Sequence, residues 1–561
     1  MNKKYVLTAA GLLFGSVVLA GCATAATPAT VTSVESSTTT TVVVDASLTA
    51  EQVLAENEKS TTVNDDEWSI DSAVTVNLSN PASAEGVTVD GGTVTITAAG
   101  TYVLSGDLAG QVVVASPDDA VVAIVLSDAS ITTDDGAAIA VTSADDVVIS
   151  LEGDNSVSDA SSYTEDADMN AAVFSEADLT ISGAGSLTVS GNGNDGITSE
   201  DDLVILSGRI TVDAVDDALR GKDSLVVTGG DLTLTAGGDA LLSDNEEDAT
   251  RGYIWIDGGT ITATAGDDGL DVVTDIVLTG GTVDVTTTGK GIKSGVYLIG
   301  EGATVAVAAQ DDALHSNGAI HLNLGDVTVS SGDDGVHADS AIAIDGGTLS
   351  ITSSYEGVEG PSITITDGTV DISASDDGIN ASGNATTSEG GGMGGGAMGD
   401  TGELLTISGG TVTISAEGDG FDSNGSAEVS GGTLIVNGPT GNGNGALDVN
   451  GTFTVSGGTI LAIGSSGMAV APDASSPQSW ISATTSGSAG DVVQVLDSSG
   501  AVLYEYTAEK SFSSVVFSSS DLADGASYSV TVNGSSPVTV TEGTAAEGGM
   551  NGGPGAGGQR P

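Results

Sequence analysis

A period of about 22 residues governs the chain from Gly193 to roughly Gly458. Its clearest unit is residues 266–287, GDDGLDVVTDIVLTGGTVDVTT. Two landmarks recur in each unit. One is an acidic corner, two acidic residues followed by Gly or Ala and an apolar residue. The other is a Gly-Gly-Thr corner between two runs that alternate apolar and polar residues. The second acidic position falls at Asp195, Asp217, Asp239, Asp268, Lys290, Asp312, Asp334, Glu356, Asp377 and Asp419, in steps of 22, 22, 29, 22, 22, 22, 22, 21 and 42. The longer steps hold an insertion at 243–251 and a Gly/Met-rich stretch at 383–403. A fixed period in this range marks a solenoid, in which each unit buries its apolar face only by stacking on the next. The expected fold is therefore all-β, a parallel β-helix with one coil per repeat. A row of antiparallel hairpins would also use Gly-Gly turns, but it gives the acidic corner no reason to recur in phase. The Gly/Asp calcium roll is excluded by its period of about nine residues.

Composition agrees with thin coils. Among 561 residues there are 82 glycines and only 3 % aromatics, too few large side chains for a conventional globular core. Strict alternation at 39 % hydrophobic content argues against disorder for most of the chain. The formal net charge is −67, which repels nucleic acid phosphates and anionic lipid headgroups and suits metal cations.

The N-terminus has a basic start at Lys3-Lys4, a short apolar run and Leu19-Ala20-Gly21-Cys22. This is the pattern of a secretory signal, too short to span a bilayer. Leu-Ala-Gly-Cys is similar to a bacterial lipobox, which implies lipidation of Cys22 and residence on the extracellular face of the cell membrane. Cys22 is the sole cysteine, so no internal disulfide forms. Residues 1–22 are read as signal and lipobox, and 23–66 as a Ser/Thr-rich tether. Residues 67–192 are read as irregular first coils and a cap, with a Gly-Gly-Thr corner at Gly91-Gly92-Thr93. The regular helix covers 193–470, with 383–403 as a loop. Residues 477–543 form a small antiparallel β module, and 544–561 a disordered Gly-rich tail.

In stacked coils, like residues sit about 4.8 Å apart. Two carboxylates at that distance repel by about 0.9 kcal/mol at ε of 80 and about 3.5 kcal/mol at ε of 20. A bare column of acids is costly, and bridging cations relieve it. Ca²⁺ is the hard, oxygen-seeking choice, helped by carbonyls freed at the adjacent glycines. Asp195, Asp216, Asp217, Asp239, Asp267, Asp268, Asp271, Asp312 and Asp334 are the candidate ligands. The bland alternative is that these Asp residues only form turns.

Lys290 interrupts the column, as an internal counter-ion or as the base of a polyuronate lyase. Arg220 and Lys222 are further basic candidates. Lys293, His315 and His337 share one repeat position and are expected to line a binding face. Tyr253 and Trp255 fall on one strand face and could serve as a sugar platform or fill the core.

Residues 170–245 (NAAVFSEADLTISGAGSLTVSGNGNDGITSEDD and onward), with TVTITAAGTYVLSGDL at 93–108 and LEGDNSVSD at 151–159, closely resemble the bacterial family described as carbohydrate-binding domain-containing protein. The resemblance covers most of 70–470. It implies a right-handed parallel β-helix similar to pectate-lyase-like helices, bound calcium, and binding of plant-type or acidic polysaccharide. The usual Gly after the acidic pair is Ala at Ala218, Ala240 and Ala313. The expected function is a monomeric, non-catalytic cell-surface lipoprotein that binds polysaccharide with calcium. A calcium-dependent pectate-type lyase and a structural adhesin are the alternatives.

Overall fold

The computed structural model describes residues 45–164, 169–383 and 400–546. Cys22 and its signal, the tether up to residue 44, the loop 384–399 and the tail from 547 lie outside the described residues. The body is a parallel β-helix whose coils have three faces. One coil runs through Leu219–Gly221, Ser224–Val227 and Asp231–Ala236. Each strand pairs in parallel with its counterpart one coil on: Leu219 with Leu241, Ser224 with Tyr253, Asp231 with Thr260. The Gly-Gly corner joins the four-residue to the six-residue face, and the acidic corner leads into the three-residue face.

Alternation fixes which side chains enter. Leu219, Leu225, Val227, Leu232 and Leu234 all point inward and are essentially inaccessible. They stack on like residues, as in the column Ile197, Leu219, Leu241, Leu270 and Ile292. One hydrophobic core runs from Val76 to Val516. The two glycines of a corner serve different ends. Gly230 has φ of +97°, a conformation open to glycine. Gly229 lies against the previous coil, where a Cβ would come within 2.5 Å of the Leu206 carbonyl oxygen.

Two features depart from the sequence reading. Gly91-Gly92 is not a coil corner: Val87–Asp90 and Thr93–Ile96 pair antiparallel across it, so the hairpin alternative holds at this one place. Residues 45–66, expected as tether, are ordered along the helix. Thr49 and Gln52 form a reciprocal capping box on the helix Ala50–Glu56. The segment then runs back along the coils, with Asn57 Nδ2 donating to Asp275 at 3.0 Å, Thr61 N to Asp202 at 2.7 Å and Val63 N to Thr180 at 3.2 Å. The C-terminal β module is joined to the solenoid. Phe512–Ser518 pairs antiparallel with the last coil strand, Thr459–Gly464, and with Trp480–Gly487. It ends the parallel stack beneath a four-stranded antiparallel sheet and covers an edge that would otherwise recruit another chain. Among the described residues no helix is long and apolar enough to cross a membrane.

Candidate functional site

The acid column is a hydrogen-bonded ladder. Asp217, Asp239, Asp268, Asp312 and Asp377 each use Oδ1 to accept the backbone N–H of the counterpart one coil on. Asp239 N donates to Asp217 at 2.8 Å, Asp268 N to Asp239 at 2.8 Å, Lys290 N to Asp268 at 2.6 Å, Asp334 N to Asp312 at 3.1 Å and Asp419 N to Asp377 at 2.5 Å. The main chain runs a second ladder beside it. The carbonyls of Asp217, Asp239, Asp268, Lys290 and Asp312 accept N–H groups at 2.8–3.2 Å from the preceding coil. The carbonyls expected to be free for a metal are thus engaged. The turn-forming role and the charged-column role coexist, since Oδ1 closes the corner and Oδ2 faces outward.

Burial and mutual repulsion push several of these carboxyls up, Asp239 to about 8, Asp195 to about 7 and Asp217 to about 6. Asp312 behaves oppositely. Burial pushes it up, but His315, Lys290 and the Asp334 N–H outweigh that and hold it well below the carboxylate range.

The three-residue strands show one outward side chain each. In register these are Thr198, Arg220, Leu242, Asp271, Lys293, His315, His337, Glu359, Asn380, Asp422 and Asp448. The predicted alignment of Lys293, His315 and His337 is present. Lys293 Nζ bridges Asp268 at 3.0 Å and Asp271 at 2.9 Å. Lys290 Nζ reaches Asp312 at 2.5 Å and Asp311 at 3.2 Å. His315 Nδ1 meets Asp312 at 2.9 Å, and its ring stacks on His337 with centroids 5.1 Å apart. His337 Nδ1 meets Asp334 at 2.9 Å and Glu359 at 3.0 Å. Arg220 pairs with Glu200 at 2.7 Å and Asp244 at 3.0 Å, and Lys222 with Glu200 at 3.2 Å.

Acidic ligand sets partly follow expectation. Asp239, Asp267 and Asp268 each bring a carboxylate oxygen within 4.8 Å of the others, as do Asp311, Asp312 and Asp333. Asp334 groups with His337 and Glu359 in the same way. Asp195, Asp216 and Asp217 do not gather into such a set, and Asp271 is drawn to Lys293 instead. Another set, Asp178, Asp201 and Asp202, escapes sequence reasoning. It sits on the four-residue face, where the acids Asp146, Asp178 and Asp202 recur at unequal steps of 32 and 24.

Tyr253 and Trp255 do not form an open platform. Tyr253 is 3 % exposed, and its hydroxyl donates to the Glu58 carbonyl at 2.8 Å. Trp255 packs with Ala50, Val53 and Leu54 beneath the N-terminal segment. Among the described residues the open aromatic is Tyr355, 48 % exposed, which takes the place of the first acid in its corner. It borders a shallow groove of about 610 Å³ lined by Thr288, Gln310, Asp311, Gly332 and Asp333. Its signal in the sequence was the one Tyr in phase with Asp311, Asp333 and Asp376.

A profile of the carbohydrate-binding domain-containing protein family matches residues 90–357 and 334–546. The chain belongs to this family. No curated protein matches it. Among solved structures it is similar to a polysaccharide lyase-like protein from C. thermocellum, a gadolinium derivative, at 30 % identity and a TM-score of 0.39, over 45 % of this chain and 98 % of that one. Family membership agrees with the repeat, which spans both matched segments, and supports polysaccharide as the partner.

Proposed function

We propose that the chain is a non-catalytic polysaccharide-binding lipoprotein, anchored through Cys22 on the extracellular face of the bacterial membrane. The observation that carries the binding reading is the open groove beside Tyr355. An exposed ring can stack on a pyranose face while Thr288, Gln310, Asp311 and Asp333 hydrogen-bond its hydroxyls. Plant cell-wall or acidic glycans are the substrate class. Acidic ones need cation bridging on so acidic a surface, and the Asp239–Asp267–Asp268 set offers oxygen donors suited to Ca²⁺.

The state of the basic residues argues against a lyase. Abstracting a proton α to a uronate carboxylate needs a base that is unprotonated near neutral pH. Burial would lower Lys290 and Lys293, but their paired aspartates outweigh it and hold both ammonium groups above their ordinary range. His337 is pushed up to about 11 by Asp334 and Glu359 and stays protonated. Retention in affinity gels containing pectin or polygalacturonate, abolished by chelator for the acidic glycan, is the expected result. Unsaturated product absorbing at about 235 nm, lost in Lys290→Ala, would overturn the non-catalytic assignment.

A further inference from the structure

The groove beside Tyr355 places an open aromatic ring next to an acid that has no internal cation. Asp333 is exposed, and among the described residues no Lys, Arg or His pairs with it. Burial, then the charges of Asp312 and Asp311, push its carboxyl above the ordinary value. Tyr355 lies directly against it one coil on, its N–H donating to the Asp333 carbonyl at 2.7 Å.

The neighbouring corners show what meets such charge. Twice a primary ammonium sits between two carboxylates: Lys290 Nζ between Asp311 and Asp312 at 3.2 and 2.5 Å, and Lys293 Nζ between Asp268 and Asp271 at 3.0 and 2.9 Å. Asp311, Asp312 and Asp333 each bring a carboxylate oxygen within 4.8 Å of the others, so one more ammonium entering from the groove can reach Asp311 and Asp333 together. The face of the Tyr355 ring attracts the same charge, because its quadrupole is negative there.

We propose that the groove takes an amino sugar, a pyranose chain of the glucosamine type that carries free ammonium groups. This rests on the groove being a glycan site and adds which sugar it selects. The ring stacks on Tyr355, Thr288 and Gln310 meet its hydroxyls, and its ammonium enters between Asp311 and Asp333. A neutral sugar leaves the charge of Asp333 unmet. A uronate adds one more like charge, on a chain whose formal net charge is already −67. A uronate bridged by a cation at Asp239, Asp267 and Asp268 is held on other coils.

The test is calorimetric titration of the full chain with a β-1,4-linked glucosamine trisaccharide and with its fully N-acetylated counterpart, which has the same rings and no charge. Chelator is present throughout, so no metal stands in for the ammonium. Salt at about 0.15 M screens long-range attraction to the acidic surface. The amino trisaccharide is expected to bind at least tenfold more tightly than the acetylated one. Asp333→Asn keeps the size of the side chain and should cut that ratio below about threefold. Asp371→Asn removes an equal charge from an exposed position on the six-residue face and should leave the ratio as it was. Equal affinity for the two sugars, no binding of either, or the same fall in ratio in both Asp variants would overturn the amino-sugar assignment and leave the groove open to other glycans. Tyr355→Ala should weaken both sugars, and binding unchanged by it would overturn the groove itself.

Discussion

The middle coils, from Asp268 to His337, and the last coils, from Glu356 to Asp448, share a backbone and an acid ladder but balance charge differently. In the middle, Lys290, Lys293 and His337 turn the acids into ion pairs within 3.2 Å, and His315 adds a hydrogen bond to Asp312. In the last coils the same register holds only acids and an amide. The ladder therefore needs the Asp side chain for its Oδ1 acceptor, and the surplus charge is met by whatever stands outward. One fold carries both arrangements, acids paired with internal cations and acids left to face one another.

The comparison is broken most directly by removing a ladder acid on each side. Asp312→Ala removes the acceptor of the Asp334 N–H, the carboxylate partner of His315 and the nearer of the two partners of Lys290, and should cost about 3–5 kcal/mol in denaturant unfolding. Asp419→Ala loses only the acceptor for Gly445 N and relieves repulsion, so in chelator it should cost about 1 kcal/mol or less. Equal costs would show that the outward cations contribute nothing to the ladder.

Next in size is the effect of Tyr355→Ala, expected to reduce retention of the bound glycan about fivefold to tenfold, as loss of one stacking contact of about 1 kcal/mol or slightly more implies. Trp255→Phe, beneath the N-terminal segment, should leave retention unchanged. Affinity electrophoresis measures both.

The smallest effect is in the pH profile. In chelator, Glu356 and Asp422 are both pushed up to about 8 by burial and nearby acids, so the folded chain binds more protons than the unfolded one. Stability should rise as pH falls from about 8 toward the ordinary carboxylate range near 4. Glu359 has the opposite sign. His337 holds it down to about 2, so its contribution is present above its ordinary value and lost as pH falls toward 2. Melting temperature should therefore peak in mild acid, and saturating calcium should flatten the slope above the peak. A profile that rises toward pH 8 in chelator contradicts the assignment of uncompensated charge.

Much of this was legible in the sequence because a solenoid writes its register as a period. The Gly-Gly corners, the ladder acids and the row of Lys293, His315 and His337 all follow from counting by 22. What was not legible depends on contacts between segments far apart in the chain. By sequence Tyr253 and Trp255 suit a sugar platform or the core equally, and the docking of the N-terminal segment decides for burial. Gly91-Gly92 has the same letters as the coil corners, but the strand before it, Val87–Asp90, folds back antiparallel on the strand after it instead of continuing a coil.

The N-terminal segment also changes how the stack should come apart. In an unbraced solenoid each coil touches only its neighbours, so unfolding can start at either end and move inward by steps. Here one strip of chain binds the coil of His321, through Leu48, and reaches back to the coil of Thr180, through Val63. Coils that never touch are thereby tied to one another. The span beneath the strip should behave as a single cooperative block, with the coils beyond it free to fray.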